Sequence, residues 1–477
     1  MSKNRIYNTW MAGILASFLS IGSLTFSSCN SWLDVVPDDR ISETVVFDDE
    51  KGFQKLLNGL YSGMTSTSLY GRNLSVGAID VLAQYYDTYN FGDVYSDLYE
   101  YNYSTEESKD LISDIWGDAY SLISNANTLI AEIEKEECPL SERQKQRMKG
   151  EALTVRAFLH FDLLRLFGPV PTDLSGQAIP YQTSTELDVQ PFETGTEIMT
   201  KIKADLTNAI SLLKESEPLL IPDKYEADEI ISRPYRMNYF TAKAILARAY
   251  LWEGNKSEAY NTATTLIDEA SAIFPLSDDD DFLFVDEMLL GLYNISRESD
   301  IYNVLFSTEL EYYERLHPAG ESLSSGRLMG WFDDQNDYRY KMWGVDEKCL
   351  YLQKYRPNDE SSTLYNSTIP LVRMSEMYLI AAECASTVDA AATWLNTLRN
   401  HRYCFSLEVT SKSLADYIYK EYSKEFVGEG QLFFYMKRNA FERVPNGHKE
   451  SGQMSMELGD YVIPLPDGET SMREGLD

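Results

Sequence analysis

The composition of this 477-residue chain is that of a folded protein, with 44% hydrophobic and 25% charged residues, which excludes extensive disorder. Its 42 Lys and Arg residues face 75 Asp and Glu, and a net charge of −33 excludes nucleic acid as a natural partner. The 33 Tyr and seven Trp residues exceed what a helical core needs and favour a recognition surface, because these side chains combine a flat apolar face with a polar edge.

The amino terminus has the layout of an export signal. Two basic residues precede an apolar run over 10–26, which ends in small residues before Cys29. A permanent transmembrane helix and an ordinary secretory signal are alternatives, because the run approaches spanning length. Cys29 resembles the lipobox cysteine of bacterial lipoproteins, and the polar stretch 29–45 suits a tether. We therefore predict a signal peptide over 1–28, a lipid on Cys29 and a single domain over 29–477.

Helical periodicity dominates the first half of the mature chain. Apolar residues at three-and-four spacing, bounded by capping and helix-stopping residues, predict helices over 42–64, 106–135, 141–168 and 196–214. Between the first two helices, residues 71–103 are rich in Gly, Asn, Asp and Tyr, which predicts loops carrying exposed aromatic side chains.

Residues 236–270 form the clearest repeat-like unit. Ala244 and Ala247 precede Gly254, and Ala259 and Ala263 follow it, so small residues stand where two antiparallel helices must approach closely. This pattern is typical of a tetratricopeptide-like helical hairpin, although another antiparallel helix pair would also produce it.

The second half of the chain alternates between irregular and helical patterns. Residues 275–369 form an irregular insertion, in which short apolar pieces such as 302–307 predict strands. Helices are then predicted over 369–385, 392–403 and 414–438, and the proline-containing tail should be extended.

Several segments, taken in order, together resemble the SusD/RagB family of Bacteroidetes outer-membrane lipoproteins. These segments are Cys29 with NSWLDVVP, EALTVRAFLHFDLLRLFGPVP, the hairpin at 236–270, IPLVRMSEMYLIAAE, LNTLRNHRY, KEFVGEGQLFFYMKR and IPLP. The resemblance covers essentially the whole mature chain, and the shared order is more specific than any one motif.

The resemblance implies a mainly α fold, with a tetratricopeptide-like α-α superhelical scaffold and a loop-rich, irregular ligand-binding face. It also implies a lipid-anchored protein of the outer membrane that serves as a lid on a SusC-type TonB-dependent transporter. Members of this family bind oligosaccharides or, in the RagB branch, peptides, and they are not enzymes. An oligosaccharide is the expected ligand, with an oligopeptide as the alternative.

The sequence carries no pattern typical of a catalytic, cofactor or metal site. The four histidines show no ligand spacing, and no nucleophile elbow, P-loop or dinucleotide motif is present. The cysteines after Cys29 show neither a disulfide framework nor zinc spacing. The acidic run at 278–281 lacks the alternating spacing of a calcium loop, so a solvated run is expected there. We predict no enzyme activity, no cofactor and no metal.

Recognition by aromatic side chains is the remaining chemistry. A sugar ring stacks its C–H faces on Trp or Tyr, while amides and carboxylates bind its hydroxyls. Two clusters fit this description, and packing of loops onto the scaffold is the alternative for each member. The first aromatic cluster is Tyr85, Tyr86, Tyr89, Asn90 and Tyr95, and the second aromatic cluster is Trp331, Asp333, Gln335, Asn336, Tyr338 and Trp343.

Overall fold

Long helices are the main regular elements of the structure, a computed structural model that describes residues 47–88, 94–185, 189–277, 281–320, 326–358 and 360–473. The predicted signal peptide, Cys29 and the tether lie outside these ranges. The longer helices are α1 (Glu50–Met64), α2 (Glu106–Ile133), α3 (Glu142–Phe167), α4 (Gly195–Lys214), α5 (Tyr239–Trp252), α6 (Lys256–Ala270), α7 (Met374–Cys384), α8 (Val388–Asn400), α9 (Leu414–Glu425) and α10 (Gln431–Arg438).

Short elements fill the spaces between the long helices. Three small antiparallel sheets pair β1 (Met288–Tyr293) with β4 (Thr368–Arg373), β2 (Trp343–Val345) with β3 (Leu350–Leu352), and β5 (Arg443–Pro445) with β6 (Gln453–Ser455). Short α-helices cover Ala78–Leu82, Val94–Tyr99, Ala227–Ile231, Asn303–Leu305, Leu328–Trp331, Thr363–Asn366 and Asp467–Arg473.

Side-chain caps explain where several scaffold helices begin. The Thr105 hydroxyl accepts a hydrogen bond from the Ser108 amide (3.3 Å) at the start of α2. The Asn238 side chain accepts one from the Thr241 amide (2.8 Å) at the start of α5. Between α5 and α6 the chain turns at Gly254, whose φ of +77° falls in the left-handed region that favours glycine.

The helices stack in chain order. Each helix from α1 to α8 packs against the next one, and α9 then packs against α7 and α10. Ala244, Ala247, Ala259 and Ala263 are fully buried in the α5–α6 hairpin, which lets the two helices approach closely. The predicted hairpin at 236–270 is therefore confirmed, as is the mainly α architecture.

Five predicted elements differ in the structure. The predicted loops over 71–103 hold two short helices (Ala78–Leu82 and Val94–Tyr99), and the tail predicted as extended ends in a third (Asp467–Arg473). The first part of 369–385 is β4 rather than helix, because its fully buried run pairs with β1 and is too short for periodicity to distinguish the two states. The predicted helix over 414–438 is broken by Gly428 and Gly430, with φ of +79° and +70°. Residues 302–307, predicted as a strand, carry a short helix instead.

A buried network of ion pairs joins the carboxyl-terminal helices to the irregular insertion. Glu425 of α9 accepts hydrogen bonds from Arg339 (2.8 Å), Arg373 (2.6 Å) and Arg402 (2.7 Å). All four of these side chains are fully shielded from solvent. The insertion is therefore held on the scaffold by polar contacts as well as by its apolar side chains.

From Asp49 onward the described residues form one compact unit. None of the helices within the described ranges is both long and apolar enough to cross a membrane.

Candidate functional site

The described aromatic members of the first aromatic cluster are buried rather than exposed. Tyr85 and Tyr86 are completely buried, and Tyr95 is 6% exposed. Tyr85 donates a hydrogen bond to the Ser423 carbonyl (2.9 Å), and Tyr95 donates one to Asn73 (3.0 Å). The prediction of exposed rings is wrong for these three tyrosines: the hydroxyls of Tyr85 and Tyr95 find partners inside the protein, and the Tyr86 ring packs against Phe306 at a centroid distance of 5.8 Å. Tyr89 and Asn90 lie outside the described residues.

The rings of the second aromatic cluster are also buried. Trp331, Tyr338 and Trp343 are 6%, 2% and 2% exposed. The rings of Trp331 and Trp343 lie 5.8 Å apart, and Trp331 packs edge-on against Tyr85 at 5.3 Å. The structure therefore brings members of both clusters together, but as an internal aromatic layer beneath the surface and not as a stacking platform for a ligand.

The polar members of the second aromatic cluster divide into two groups. Asp333 is held by ion pairs with Arg399 (3.2 Å) and Lys424 (3.0 Å), so its carboxylate is already occupied. Gln335 and Asn336 are exposed at the surface. Asp333 also reaches the surface in spite of its ion pairs, so the three polar members that precede Tyr338 are exposed while the rings are not.

A surface cleft opens immediately beside the first aromatic cluster. Its volume is about 600 Å³, which falls in the range of small-molecule sites. We call it the tyrosine–histidine cleft. It is lined by Asp87, Tyr99, Glu100, Tyr312, Asn446, His448, Lys449 and Met454. These residues come from three distant stretches of the chain, which the fold brings together.

The floor of the tyrosine–histidine cleft is a pair of stacked rings. The Tyr99 and His448 rings are nearly parallel, at an interplanar angle of 7° and a centroid distance of 3.4 Å. The Tyr99 hydroxyl donates to Asn446 (2.9 Å) and accepts from the His448 amide (3.2 Å). These bonds fix the Tyr99 ring and the backbone of His448, and the Thr88 hydroxyl lies 3.3 Å from His448 Nε2, so the floor is preorganised.

The wall of the cleft is held by a short bridge between two loops. The Asp87 amide donates to the His317 carbonyl at 2.7 Å. Tyr312 packs against the His317 ring at a centroid distance of 4.5 Å and leaves 38% of its surface exposed. Tyr312 is therefore the aromatic side chain of this cleft that is best placed to meet a ligand.

The electrostatics of the cleft are mixed. Partial burial lowers the pKa of His448 from its ordinary value of 6.5, against the opposing influence of Asp87 and Glu100. The ring is therefore neutral at pH 7 and can accept or donate a hydrogen bond. Together with Asn446 and Lys449, the lining offers both donors and acceptors around aromatic surface, which suits a ligand with many hydroxyl groups.

The structure also bears on the predicted absence of metal. The described residues contain no group of three or more His, Cys, Asp or Glu side chains placed to hold a metal ion. In the acidic run, residues 278–280 lie outside the described ranges. Asp281 accepts hydrogen bonds from the Leu283 and Val285 amides (2.9 and 2.6 Å) and from the Tyr365 hydroxyl (2.7 Å). Its carboxylate therefore serves to hold a turn.

None of the eight residues that line the cleft was among the predicted site residues. Tyr312 begins a short 3-10 helix and His448 lies in a loop, and neither position carries a periodic or motif signal. Only their three-dimensional meeting with Asp87 makes a site. The dense tyrosines near Asp87 indicated the correct region, but the neighbouring residues, and not the cluster itself, line the cleft.

Comparisons with known proteins agree with this architecture. Residues 31–251 match a family model described as "Starch-binding associating with outer membrane", and residues 319–474 match the model of the SusD family. The SusD-like protein P38 of Formosa agariphila is 24% identical, over 89% of this chain and 91% of that protein.

Solved structures share the fold. A SusD superfamily protein from Bacteroides thetaiotaomicron superposes with a TM-score of 0.72 at 23% identity, covering 89% of this chain and 98% of the other. A laminarin-binding SusD-like protein has a TM-score of 0.65 at 18% identity, covering 88% and 97%. The predicted mainly α, tetratricopeptide-like scaffold is thus confirmed.

Proposed function

This chain belongs to the SusD/RagB family, and from that premise we propose that it binds an oligosaccharide in the tyrosine–histidine cleft. The observation that carries the proposal is the meeting, in one open cleft, of an exposed Tyr312 ring, a fixed Tyr99–His448 stack and several polar side chains. Aromatic faces take the C–H surfaces of a sugar ring, and amide, carboxylate and ammonium groups take its hydroxyls. The laminarin-binding relative of the same fold supports this ligand class.

The same proposal includes delivery of the ligand to a transporter. The family is associated with the outer membrane, and we assign this chain to that location, anchored through a lipid on Cys29. There it acts as a lid on a SusC-type TonB-dependent transporter and carries out no catalysis. Co-purification of the chain with a TonB-dependent barrel from membranes of its own organism would test the partner, and loss of membrane binding in a Cys29→Ser variant would test the anchor.

Calorimetry with laminarin and starch fragments tests the ligand class. Replacing Tyr312 by Ala removes the exposed ring, and we expect the affinity to fall about tenfold, corresponding to about 1.4 kcal/mol. Tyr313→Ala is the matched control, because Tyr313 is 54% exposed beside Tyr312 but does not line the cleft. Equal losses in both variants, or none in Tyr312→Ala, would remove the cleft from the proposal.

An oligopeptide is the second candidate ligand. Asp87 and Glu100 both line the cleft, and the net charge of −33 favours basic segments. Salt separates the two classes: raising NaCl from about 50 to about 500 mM should leave a neutral sugar's affinity unchanged but weaken a lysine-rich peptide several-fold. A peptide affinity that depends strongly on salt, together with no detectable binding of sugars, would favour the peptide as the ligand.

A further inference from the structure

A buried polar side chain lies behind the floor of the tyrosine–histidine cleft. Gln84 precedes Asp87 in the same segment and is completely shielded from solvent. It does not line the cleft, so it does not contact a bound ligand. Any effect of Gln84 on binding must act through the residues that do line the cleft.

The amide of Gln84 joins two of the chain segments that form the cleft. Its Nε2 donates to the Tyr99 carbonyl (2.9 Å), and its Oε1 accepts from the Gly447 amide (3.2 Å). Tyr99 ends a short helix, whereas Gly447 lies in the turn between β5 and β6. One side chain from the segment of Asp87 therefore ties together the two segments that carry the stacked Tyr99 and His448 rings.

The turn between β5 and β6 lies in close contact with the rest of the protein. A Cβ atom added at Gly447 would lie 2.6 Å from the Tyr86 carbonyl oxygen and 2.8 Å from the Tyr99 ring. Only a residue without a side chain fits at these distances. The Arg327 guanidinium also donates to the Asn446 carbonyl (2.6 Å). The position of the turn therefore depends on a few specific contacts.

The backbone of Gln84 indicates a role beyond filling space. Its φ of +63° lies in the left-handed region, which is unfavourable for a residue with a side chain. Residues persist in such conformations where surrounding interactions hold them, and they cluster at binding sites. The two hydrogen bonds of the Gln84 amide are such interactions.

We propose that Gln84 is a positioning residue of the tyrosine–histidine cleft, whose amide holds Tyr99 and the β5–β6 turn together before a ligand arrives. This inference rests on the proposed binding of an oligosaccharide in that cleft. Ordering loops on binding lowers affinity, so a floor that is already formed raises it. Gln84 thus acts on affinity without touching the sugar.

Calorimetry with laminarihexaose and maltohexaose as probes tests the effect on affinity. Gln84→Leu keeps a side chain of similar size but removes both hydrogen bonds, and we expect the affinity to fall about tenfold. Asn238→Leu is the control, because Asn238 is another completely buried amide that bridges separate segments. It should lower the unfolding temperature but leave the affinity unchanged.

Gln84→Glu provides a rescue that depends on pH. An ionised carboxylate accepts from the Gly447 amide but cannot donate to the Tyr99 carbonyl, whereas a protonated carboxyl can do both. Because burial favours the protonated form, the affinity of this variant relative to the wild type should rise several-fold between about pH 7.5 and about pH 5. His448 is present in both proteins, so comparison at equal pH removes its contribution. A residue that only fills space would show no such recovery.

Amide hydrogen exchange tests the position of the turn without any ligand. In Gln84→Leu the Gly447 amide loses its acceptor, so peptides covering 444–452 should exchange about fivefold faster than in the wild type and in Asn238→Leu. Gly447→Ala leaves Gln84 intact but pushes the turn away from Tyr99. It should give the same faster exchange and the same loss of affinity, and it replaces Gln84→Leu if that variant does not fold.

Three results would overturn the positioning role. These are wild-type exchange of 444–452 in Gln84→Leu, wild-type affinity in that variant, and a relative affinity of Gln84→Glu that does not change with pH. Failure of the wild type to bind either sugar would count against the proposed function instead. The exchange measurement would then still decide whether Gln84 holds the turn.

Discussion

The ring of His160 lies inside α3 with both nitrogens engaged. Its Nδ1 donates to the Arg156 carbonyl (2.8 Å), and its Nε2 accepts from the Gln182 amide (3.0 Å), an arrangement that only the neutral ring allows. Burial lowers the pKa of His160 from 6.5 to about 3. The unfolded ring keeps an ordinary pKa, so below pH 6.5 the unfolded state binds more protons and the native state loses stability as pH falls.

This shift predicts a measurable pH dependence of stability. When the pH falls from 7 to about 4.5, the free energy of unfolding should decrease by about 2–3 kcal/mol because of the buried ring. Urea denaturation of the wild type and His160→Gln at both pH values isolates the contribution of His160 to the pH dependence, because the other groups titrate alike in both proteins. An identical pH dependence in the two proteins would show that the His160 ring contributes none of it.

Glu425 shows how a buried charge holds the insertion on the scaffold. Burial alone would raise the pKa of its carboxyl, but Arg402, Arg373 and Arg339 outweigh burial and hold the pKa well below its usual range. Glu425→Gln leaves these cations without part of their counter-charge, and we expect a loss of about 3–5 kcal/mol in the free energy of unfolding. Chemical denaturation measures this loss of stability. Glu408→Gln is the control, since Glu408 is exposed. Similar free energies of unfolding for the two variants would contradict the role of Glu425.

At the scale of elements, the α5–α6 hairpin depends on small residues at the helix crossing. Ala263 is completely buried there, so Ala263→Leu should force the helices apart and destabilise the protein by about 1–3 kcal/mol. Thr265→Leu adds similar bulk on the exposed face of the same helix and should change the unfolding midpoint little. A tolerated Ala263→Leu would mean that the crossing is looser than the structure shows.

The elements that the sequence predicts well are those with long periodicity or small residues at a crossing, such as α2, α3 and the α5–α6 hairpin. β4 was missed because a short, fully buried apolar run fits strand and helix equally. The aromatic clusters were misplaced for a related reason. Tyrosine occurs both in protein cores and on binding surfaces. A high frequency of tyrosine therefore indicates a region of the chain but does not show which rings face solvent.

In the whole molecule, the helices support the fold and the loops form the binding surface. Stacked helices bury the core, and the irregular insertion is fixed on them by the network around Glu425 and by the aromatic layer of Tyr85, Trp331 and Trp343. Loops carried on this support form the tyrosine–histidine cleft. A rigid scaffold that positions variable loops is the usual way to build a preorganised binding site.

The most direct test of the proposed function is a crystal structure of the protein with the oligosaccharide that calorimetry ranks first. We expect sugar density in the tyrosine–histidine cleft, with a ring face against Tyr312 and hydroxyl contacts to Asn446 and Asp87. Sugar bound elsewhere on the surface, with this cleft left open, would contradict the proposed function.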